Sequence, residues 1–279
     1  MNHGGAFDIS CRYRYNLSVS PALSGAEFGI RGGAAMVNDL IRYLAEHDLT
    51  QTVYNAFLVL SFVGWLLYNY LSGKSYGIPP GKCLIISAVV WPVAYGLLYV
   101  LYWVESRFSA WGSHNIVRGF IWFPFIALAL AKLMKLRGRT VVDYIAPGCS
   151  LSQGVAHLGC SFAGCCYGVP AEKGIWNPQF DDVRFPNQIL EALAALLVFA
   201  VCALYAKKRR YDSNGRVYPL FLILFGVTRF FLEFLRDNQK VLGNISLLAL
   251  HCVIMVLVGA VWLAVRQIQD RKVQRGEAK

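Results

Sequence analysis

Residues 218–236 read YPLFLILFGVTRFFLEFLR, and this stretch decides the fold class. The residues before Arg229 are almost all apolar, so the run belongs in hydrocarbon rather than in water. Arg229, Glu233 and Arg236 nevertheless follow at i, i+4 and i+7, which places them on one helix face. An ionised side chain at the middle of a bilayer costs at least about 2.5–3.5 kcal/mol, so such residues usually face a cavity or a partner. The stretch therefore predicts a membrane helix with a buried polar face.

The composition fits a chain that is solvated by lipid. Of its 279 residues, 56% are hydrophobic and 15% are charged, whereas about a quarter of the residues in a soluble domain are charged. The formal net charge is +11. It does not indicate nucleic-acid binding, because the basic residues lie mostly in short loops between apolar runs and in the tail from Arg266 to Lys279. This placement fits the positive-inside rule and attraction to anionic lipid.

Six apolar runs approach the length of about 20 residues that a bilayer-spanning helix needs. They are Val53–Leu71, Cys83–Val104, Gly119–Met134, Gln188–Ala206, Tyr218–Leu235 and Ile245–Val265. A seventh run, Val141–Ala163, contains polar residues that no lipid-facing helix would tolerate, so we expect a broken or re-entrant segment buried among other helices. The predicted fold class is an all-α polytopic membrane protein with about seven transmembrane helices.

Ahead of the first run, apolar residues recur at helical spacing and predict an amphipathic helix over Ala35–His47 at the membrane interface. A short soluble cap would give the same pattern. Lysines and arginines cluster in three loops and in the tail. All four clusters fall on the cytoplasmic side if the chain starts outside and crosses seven times. We expect an extracytoplasmic arm over residues 1–52, a transmembrane domain over 53–265 and a basic cytoplasmic tail over 266–279.

A glycine-rich stretch, Gly154–Gly168, contains a histidine and three cysteines that could take part in catalysis or ligand binding. His157 is a proton acceptor with a reference pKa of about 6.5. It could ligate a metal together with Cys160, Cys165 and Cys166, but the spacing fits no standard zinc pattern, and we expect no metal. A disulfide would join Cys160 to Cys165 rather than the adjacent Cys165 and Cys166.

Two further features admit a functional and a structural interpretation. An arginine fork matches a lipid phosphate, so Arg229 and Arg236 could form a phosphate cradle with Glu233 holding an arginine in place. An ion pair within the helix, with Arg236 reaching to water, would give the same sequence. Gln188 and Glu191 face the same way after Pro186, although a capped helix start explains that segment equally well.

Four motifs together resemble the bacterial prolipoprotein diacylglyceryl transferase family. They are Asp143–Pro147 with its Ala-Pro pair, the glycine-rich stretch Gly154–Gly168, the Pro-x-Gln-x-x-Glu motif Pro186–Glu191, and the Arg-Phe-x-x-Glu-Phe-x-Arg motif Arg229–Arg236. Their order and spacing agree with the family from about Val141 onward, while the first half resembles it only in its pattern of spans. The combination is specific, although no single motif is.

The resemblance implies a seven-helix enzyme of the bacterial inner membrane, with its N-terminus outside and its C-terminus in the cytoplasm. It would transfer diacylglycerol from phosphatidylglycerol to the thiol of the lipobox cysteine in a preprolipoprotein, releasing glycerol phosphate. The implied partners are phosphatidylglycerol, the preprolipoprotein signal peptide and the membrane, without a cofactor. The thiolate is the nucleophile, so the reaction needs a base near the thiol and cations near the departing phosphate.

The chain departs from the family signature, in a form similar to a divergent branch rich in cysteine. The family's Gly-Arg-x-Gly has His157 in place of its arginine, and Cys160 stands where the family has asparagine. The tyrosine expected before Arg229 is Phe225, and the family's His-Gly motif, the source of its proposed base, reads Arg118-Gly119.

We infer that histidine and arginine have exchanged places, so that His157 is the base and Arg118 binds phosphate, with His114 as a rival base. The predicted catalytic residues are His157, Arg229 and Glu233. The predicted substrate-binding residues are Arg118, Arg236, Gln188, Glu191, Gly159, Gly164 and Cys160. The altered signature leaves two alternatives open: a related membrane transferase with another acceptor, and a non-catalytic homologue that binds phospholipid.

Overall fold

The structure is a computed structural model that describes residues 33–108, 116–238, 240–243 and 245–275. Within these residues the chain forms eight α-helices and two short antiparallel hairpins. The helices are α1 (Gly33–Glu46), α2 (Thr50–Ser75), α3 (Pro80–Phe108), α4 (Ile116–Leu133), α5 (Gly138–Ala163), α6 (Asn187–Lys208), α7 (Val217–Glu233) and α8 (Leu247–Gln274). The hairpins pair β1 (Pro170–Asn177) with β2 (Asp182–Arg184), and β3 (Lys240–Leu242) with β4 (Ile245–Ser246).

Among the helices of the described residues, four are long and apolar enough to cross a membrane: α2, α3, α6 and α8. Large apolar side chains on their outer faces, such as Leu60, Leu197 and Val261, are more than half exposed. Such a surface suits lipid, and the helical backbone satisfies its own hydrogen bonds there. These helices confirm the prediction of a helical membrane protein, while the count of seven spans stays a prediction.

Helix α5 corrects one expectation. The segment predicted to be broken or re-entrant is a continuous helix of 26 residues with Pro147 inside it. It packs against α2, α4, α6 and α7, and most of its residues are buried. The Ser150 hydroxyl donates to the main-chain oxygen of Ala195 (2.7 Å), and the Ser61 hydroxyl donates to that of Ser152 (2.8 Å). Hydrogen bonds between helices therefore accommodate the polar side chains, and no break is needed.

The loops with the basic clusters meet at one end of the bundle, which we call the basic end. The Lys82 ammonium donates to the main-chain oxygen of Met134, and the Arg266 guanidinium donates to that of Asn214. The Asp143 carboxylate accepts hydrogen bonds from the main-chain N–H groups of 215, 217 and 218 at the start of α7. This carboxylate caps α7 and ties it to α5. The expectation that the basic clusters share one end agrees with these contacts.

At the opposite end, called the site end, α5 and α7 finish and α6 and α8 begin. Helix α1 confirms the predicted N-terminal helix with slightly shifted bounds, and it lies against β1. Ile41 is buried in a cluster with Trp176, while Met36 and Leu40 on the other face are exposed. The Asn38 side chain makes two hydrogen bonds to the main chain of the β1 strand. The exposed apolar face is what an interfacial helix needs.

Two more features differ from the sequence prediction. The all-α assignment omitted both hairpins, which form in the loops after α5 and α7. Helix α8 continues past Val265 to Gln274, so it enters the segment predicted as a separate tail. Residues 1–32 of the arm predicted over residues 1–52, and the rival base His114, lie outside the described residues.

Candidate functional site

The charged face of α7 forms a buried ion-pair cluster at the site end. Nη1 of Arg229 lies 2.9 Å from Oε1 of Glu191 and 3.2 Å from Oε2 of Glu233. Arg236 lies farther away, with Nε 3.8 Å from Oε1 of Glu191 and Nη1 3.8 Å from Oε2 of Glu233. The pairing of Arg229 with Glu233 follows from their i, i+4 spacing. The contact with α6 could not be deduced from the sequence.

Glu191 joins three helices at this point. It stands on the first turns of α6, and its carboxylate contacts Arg229 of α7 and Nδ1 of His157 of α5, the latter at 3.1 Å. Asn187, one turn earlier on α6, donates a hydrogen bond to the same carboxylate. Glu191 is therefore central to the cluster, and the segment that reads as a mere helix start contributes directly to the site.

Glu233 is held by two residues that the sequence analysis missed. Its Oε1 accepts hydrogen bonds from the Asn238 amide and the Ser246 hydroxyl, both at 2.7 Å. Ser246 also accepts from the main-chain N–H of Ala249 and so caps α8. A serine directly before an apolar run is a helix-start signal, so the capping role was visible in the sequence. Its second role was not, because it depends on how α7 and α8 pack.

The cluster is buried but incompletely hydrogen-bonded. The exposed fractions of His157, Glu191, Arg229 and Glu233 are 8%, 3%, 6% and 2%. Within the described residues, five of its buried polar atoms make no directed hydrogen bond: Nδ1 of His157, Oε2 of Glu191, Nη1 of Arg229, Oε2 of Glu233 and Nε of Arg236. Buried polar groups in proteins are nearly always satisfied. These atoms face one another across distances of 2.9–3.8 Å, so they are ion-paired without the geometry of a hydrogen bond.

The end of α5 and the turn after it place a histidine and two thiols together. The ligating atoms of His157, Cys160 and Cys166 all lie within 4.8 Å of one another. All three cysteines of the stretch are free thiols, so the considered Cys160–Cys165 disulfide is not formed. Hydrogen bonds from the Cys160 and Cys165 thiols, together with the positive charge of Arg236, hold the pKa of Cys166 well below its usual range.

The predicted glycines and Gln188 have packing roles. A Cβ on Gly159 would lie 2.7 Å from Cβ of Phe57, so this glycine allows α2 to approach α5. Gly164 ends α5 with a left-handed backbone (φ +71°), which glycine adopts without strain. The Gln188 amide donates to the main-chain oxygen of Cys165 at 2.9 Å and fixes the turn beside the thiols. Substrate contacts by these residues stay predictions.

Arg118 is buried near the start of α4. Phe120, two residues later, packs edge-on against Phe225 with ring centroids 5.2 Å apart. Phe225 precedes Arg229 by one helical turn. The start of α4 therefore packs against α7 one turn before the ion-pair cluster. This position is compatible with a phosphate role for Arg118.

Arg184 attaches the first hairpin to the site end and was not among the predicted residues. Its guanidinium lies over the rings of Phe180 and Tyr167, 4.0 and 4.8 Å from their centroids, and it pairs with Asp182 and Asp237. Asp237 follows directly after Arg236, so the hairpin is linked to the end of α7. The Arg184 contacts therefore hold the first hairpin at the site end.

These features define an α-helical, multi-pass membrane protein with a buried charged site at one end of its bundle. The family model described as prolipoprotein diacylglyceryl transferase matches residues 48–265. The chain belongs to the prolipoprotein diacylglyceryl transferase family.

Several curated relatives match parts of the chain, and each is named phosphatidylglycerol–prolipoprotein diacylglyceryl transferase. The protein of Clostridium tetani is 33% identical over 117 residues, which cover 39% of this chain and 45% of the relative. The second such protein of Clostridium perfringens is 28% identical over 177 residues, covering 59% and 67%. The protein of Nitrosomonas europaea is 35% identical over 141 residues, covering 49% and 50%. The chain thus spans about half the length of two of these relatives.

Proposed function

We propose that this protein transfers a diacylglyceryl group from phosphatidylglycerol to the lipobox cysteine thiol of preprolipoproteins. The observation that carries the proposal is the pair of Arg229 and Arg236 at the site end, which Glu191 and Glu233 hold side by side. The relatives named for this activity support it.

The charges of the cluster suit a lipid phosphodiester. Arg229 and Arg236 offer positive charge to the single negative charge of a phosphodiester, and their planar guanidinium groups match its oxygens. In a site shielded from water, this positive charge stabilises the bound headgroup and the charge that develops on the departing phosphate.

The reaction is a displacement at carbon. The thiolate sulfur attacks the glycerol carbon that bears the phosphate, the carbon–oxygen bond breaks, and its electron pair leaves with glycerol phosphate. Because the thiolate is the nucleophile, the thiol has to lose its proton beside the phosphate site. We assign the activation of the thiol to His157, which contacts the same glutamate as Arg229. Glu191 then aligns the thiol-activating group with the phosphate-binding group.

The membrane arrangement follows from the two ends of the bundle. We place the basic end in the cytoplasm under the positive-inside rule and the site end at the outer leaflet of the bacterial inner membrane. The exposed apolar face of α1 would then rest on that leaflet. With seven crossings by α2 to α8, the N-terminus is outside and the C-terminus inside.

One observation favours a second candidate. His157 replaces a signature arginine of the family, and cysteines surround it. A site changed at this position could accept a group other than the lipobox thiol, which would make the protein a related lipid transferase.

The test is incubation of the purified protein with phosphatidylglycerol and a lipobox peptide, with mass spectrometry of the peptide. We expect a diacylglyceryl adduct on the cysteine and release of glycerol phosphate. Arg229→Lys keeps the charge but loses the planar fork. It should lower the rate about 10²–10³-fold, the usual cost of a lost donor to developing negative charge.

Arg271→Lys is the matched control, since Arg271 is exposed near the end of α8. A peptide that stays unmodified while phosphatidylglycerol is consumed would point to another acceptor. Equal rates for Arg229→Lys and Arg271→Lys would contradict the phosphate role.

A further inference from the structure

His157, Cys160 and Cys166 form a set of potential metal ligands beside the phosphate-binding arginines. Their ligating atoms are mutually within 4.8 Å, so small side-chain adjustments would bring all three onto one ion. His157 and Cys160 occupy one face of α5, and the left-handed end of the helix at Gly164 turns Cys166 back towards them. The sequence spacing matches no standard zinc motif, and only this turn makes the arrangement possible.

The ligand types indicate the ion. Two thiolates and one imidazole suit zinc, which is bound by sulfur and nitrogen in tetrahedral geometry. Zinc sites that take part in catalysis commonly have three protein ligands and leave the fourth position for substrate. Histidine ligands usually have a carboxylate at the other ring nitrogen, which orients the ring. Here Oε2 of Glu191 lies 3.1 Å from Nδ1 of His157, so a small rotation of the ring would make this hydrogen bond and leave Nε2 available to an ion.

We propose that His157, Cys160 and Cys166 bind a zinc ion and that its fourth position takes the lipobox thiol. This inference rests on the proposed function. The thiol proton is released to water when the sulfur binds, because a thiol coordinated to a metal is deprotonated. The zinc-bound thiolate forms the sulfur–carbon bond as the carbon–oxygen bond breaks, and glycerol phosphate leaves with that electron pair and takes up a proton from water. His157 thus activates the thiol as a ligand, without accepting the proton itself.

The position of the site supports this role. One carboxylate, that of Glu191, contacts both His157 and Arg229. The ion and the arginine that binds the phosphate would therefore be separated by the Glu191 carboxylate alone. A thiolate on the ion would then lie close to the carbon that it attacks. Before the peptide binds, the thiolates of Cys160 and Cys166 neutralise the divalent ion, so the ion does not alter the charge that the arginines offer to the phosphate.

The first experiment measures metal content in the full chain, purified in detergent from zinc-supplemented cells. We expect a single zinc per chain in the wild type, and loss of zinc in Cys160→Ser and Cys166→Ser. Two cysteine variants serve as matched controls and should keep the metal. Cys165→Ser removes the neighbouring thiol that is outside the ligand set, and Cys202→Ala removes a thiol buried within α6. Size-exclusion profiles of all variants check that they are folded.

The second experiment uses the wild type alone, so it does not depend on a variant folding. Cobalt replaces zinc, and the visible spectrum is recorded before and after addition of a lipobox peptide. We expect tetrahedral cobalt bands with sulfur-to-metal charge transfer that strengthens when the peptide thiol binds. The same peptide with serine in place of cysteine should leave the spectrum unchanged.

The outcomes separate this inference from the proposed function. Diacylglyceryl transfer by protein that contains no metal, or a Cys160–Cys166 disulfide in active protein, would overturn the zinc site and leave the transferase intact. Loss of zinc in Cys165→Ser would show that Cys165 is a fourth protein ligand, so that no position is open to the peptide thiol. Stoichiometric zinc and a peptide-dependent spectrum, without any transfer from phosphatidylglycerol, would instead count against the proposed transferase.

Discussion

At the scale of single residues, Glu191 contacts two arginines and a histidine through one buried carboxylate. Arg229, Arg236 and His157 all lie within 4 Å of it. Removing one partner of a buried ion pair leaves an uncompensated charge, which typically costs about 3–5 kcal/mol. The cluster should therefore matter for stability, apart from its proposed role in ligand binding.

This coupling gives a prediction about stability. Glu191→Gln preserves size but removes the charge, so we expect the free energy of unfolding in detergent to fall by about 3–5 kcal/mol. Arg229→Gln should cost a similar amount. The double variant should cost clearly less than the sum, since it leaves no unpaired charge at that point. Additive losses in the denaturation curves would show that the two residues do not interact.

The sequence revealed only part of this site. The i, i+4, i+7 spacing placed Arg229, Glu233 and Arg236 on one face, because helix geometry alone determines it. The roles of Asn187 and Ser246 depend on which helices meet at the site end, and no local pattern specifies that. Cys166 was recognised only as a weak ligand candidate, because its approach to His157 depends on the left-handed turn at Gly164.

At the scale of secondary-structure elements, Asp143 determines how α7 begins. Its carboxylate accepts hydrogen bonds from the main-chain N–H groups of residues 215, 217 and 218, at distances of 2.7, 2.9 and 3.4 Å. The first N–H groups of a helix have no partner within the helix, so an acceptor from α5 replaces the missing one. This capping explains the aspartate of the first family motif, which lies far from the ion-pair cluster in the fold.

Asp143→Ala should therefore destabilise the protein without altering the chemistry. We expect a loss of about 1–2 kcal/mol, the usual cost of a lost helix cap, and a smaller loss for Asp143→Asn, which keeps an acceptor oxygen. The thermal unfolding midpoint in detergent measures both. Glu172→Ala, at an exposed position of β1, is the control and should not shift the midpoint. A lower affinity for phosphatidylglycerol in folded Asp143→Asn would contradict a purely structural role.

The elements themselves were predictable to different degrees. Apolar runs located the long helices, because length and hydropathy reflect the bilayer directly. The polar side chains of α5 suggested a break, yet its neighbours supply partners for them and the helix continues through Pro147. The hairpin β1–β2 was not predicted, since contacts with α1 and the aromatic stacking of Arg184 hold it in place.

At the scale of the whole molecule, the two ends of the bundle differ in chemistry. Basic residues collect at one end, while the charged cluster, the thiols and both hairpins lie at the other. The periodic placement of lysine and arginine predicted this division, because each crossing reverses the chain direction.

A labelling experiment tests the orientation. Single cysteines are introduced as Glu172→Cys at the site end and Asp212→Cys at the basic end, both at exposed positions. In intact spheroplasts, a membrane-impermeant maleimide should modify the first and spare the second until the membrane is permeabilised. The unaltered chain reports labelling of the native thiols. The reverse pattern would place the candidate site in the cytoplasm, away from secreted precursors.

Polar anchors at both ends of the bundle also limit how it responds to its surroundings. Asp143 fixes α5 against α7 at one end, and the ion pairs of Arg229 fix α6 against α7 at the other. Sliding of a helix along its axis would break anchors at both ends. In a bilayer thinner or thicker than the apolar outer surface of the bundle, the protein should therefore tilt as a unit or deform the surrounding lipid. The distance between its two anchored ends should stay constant.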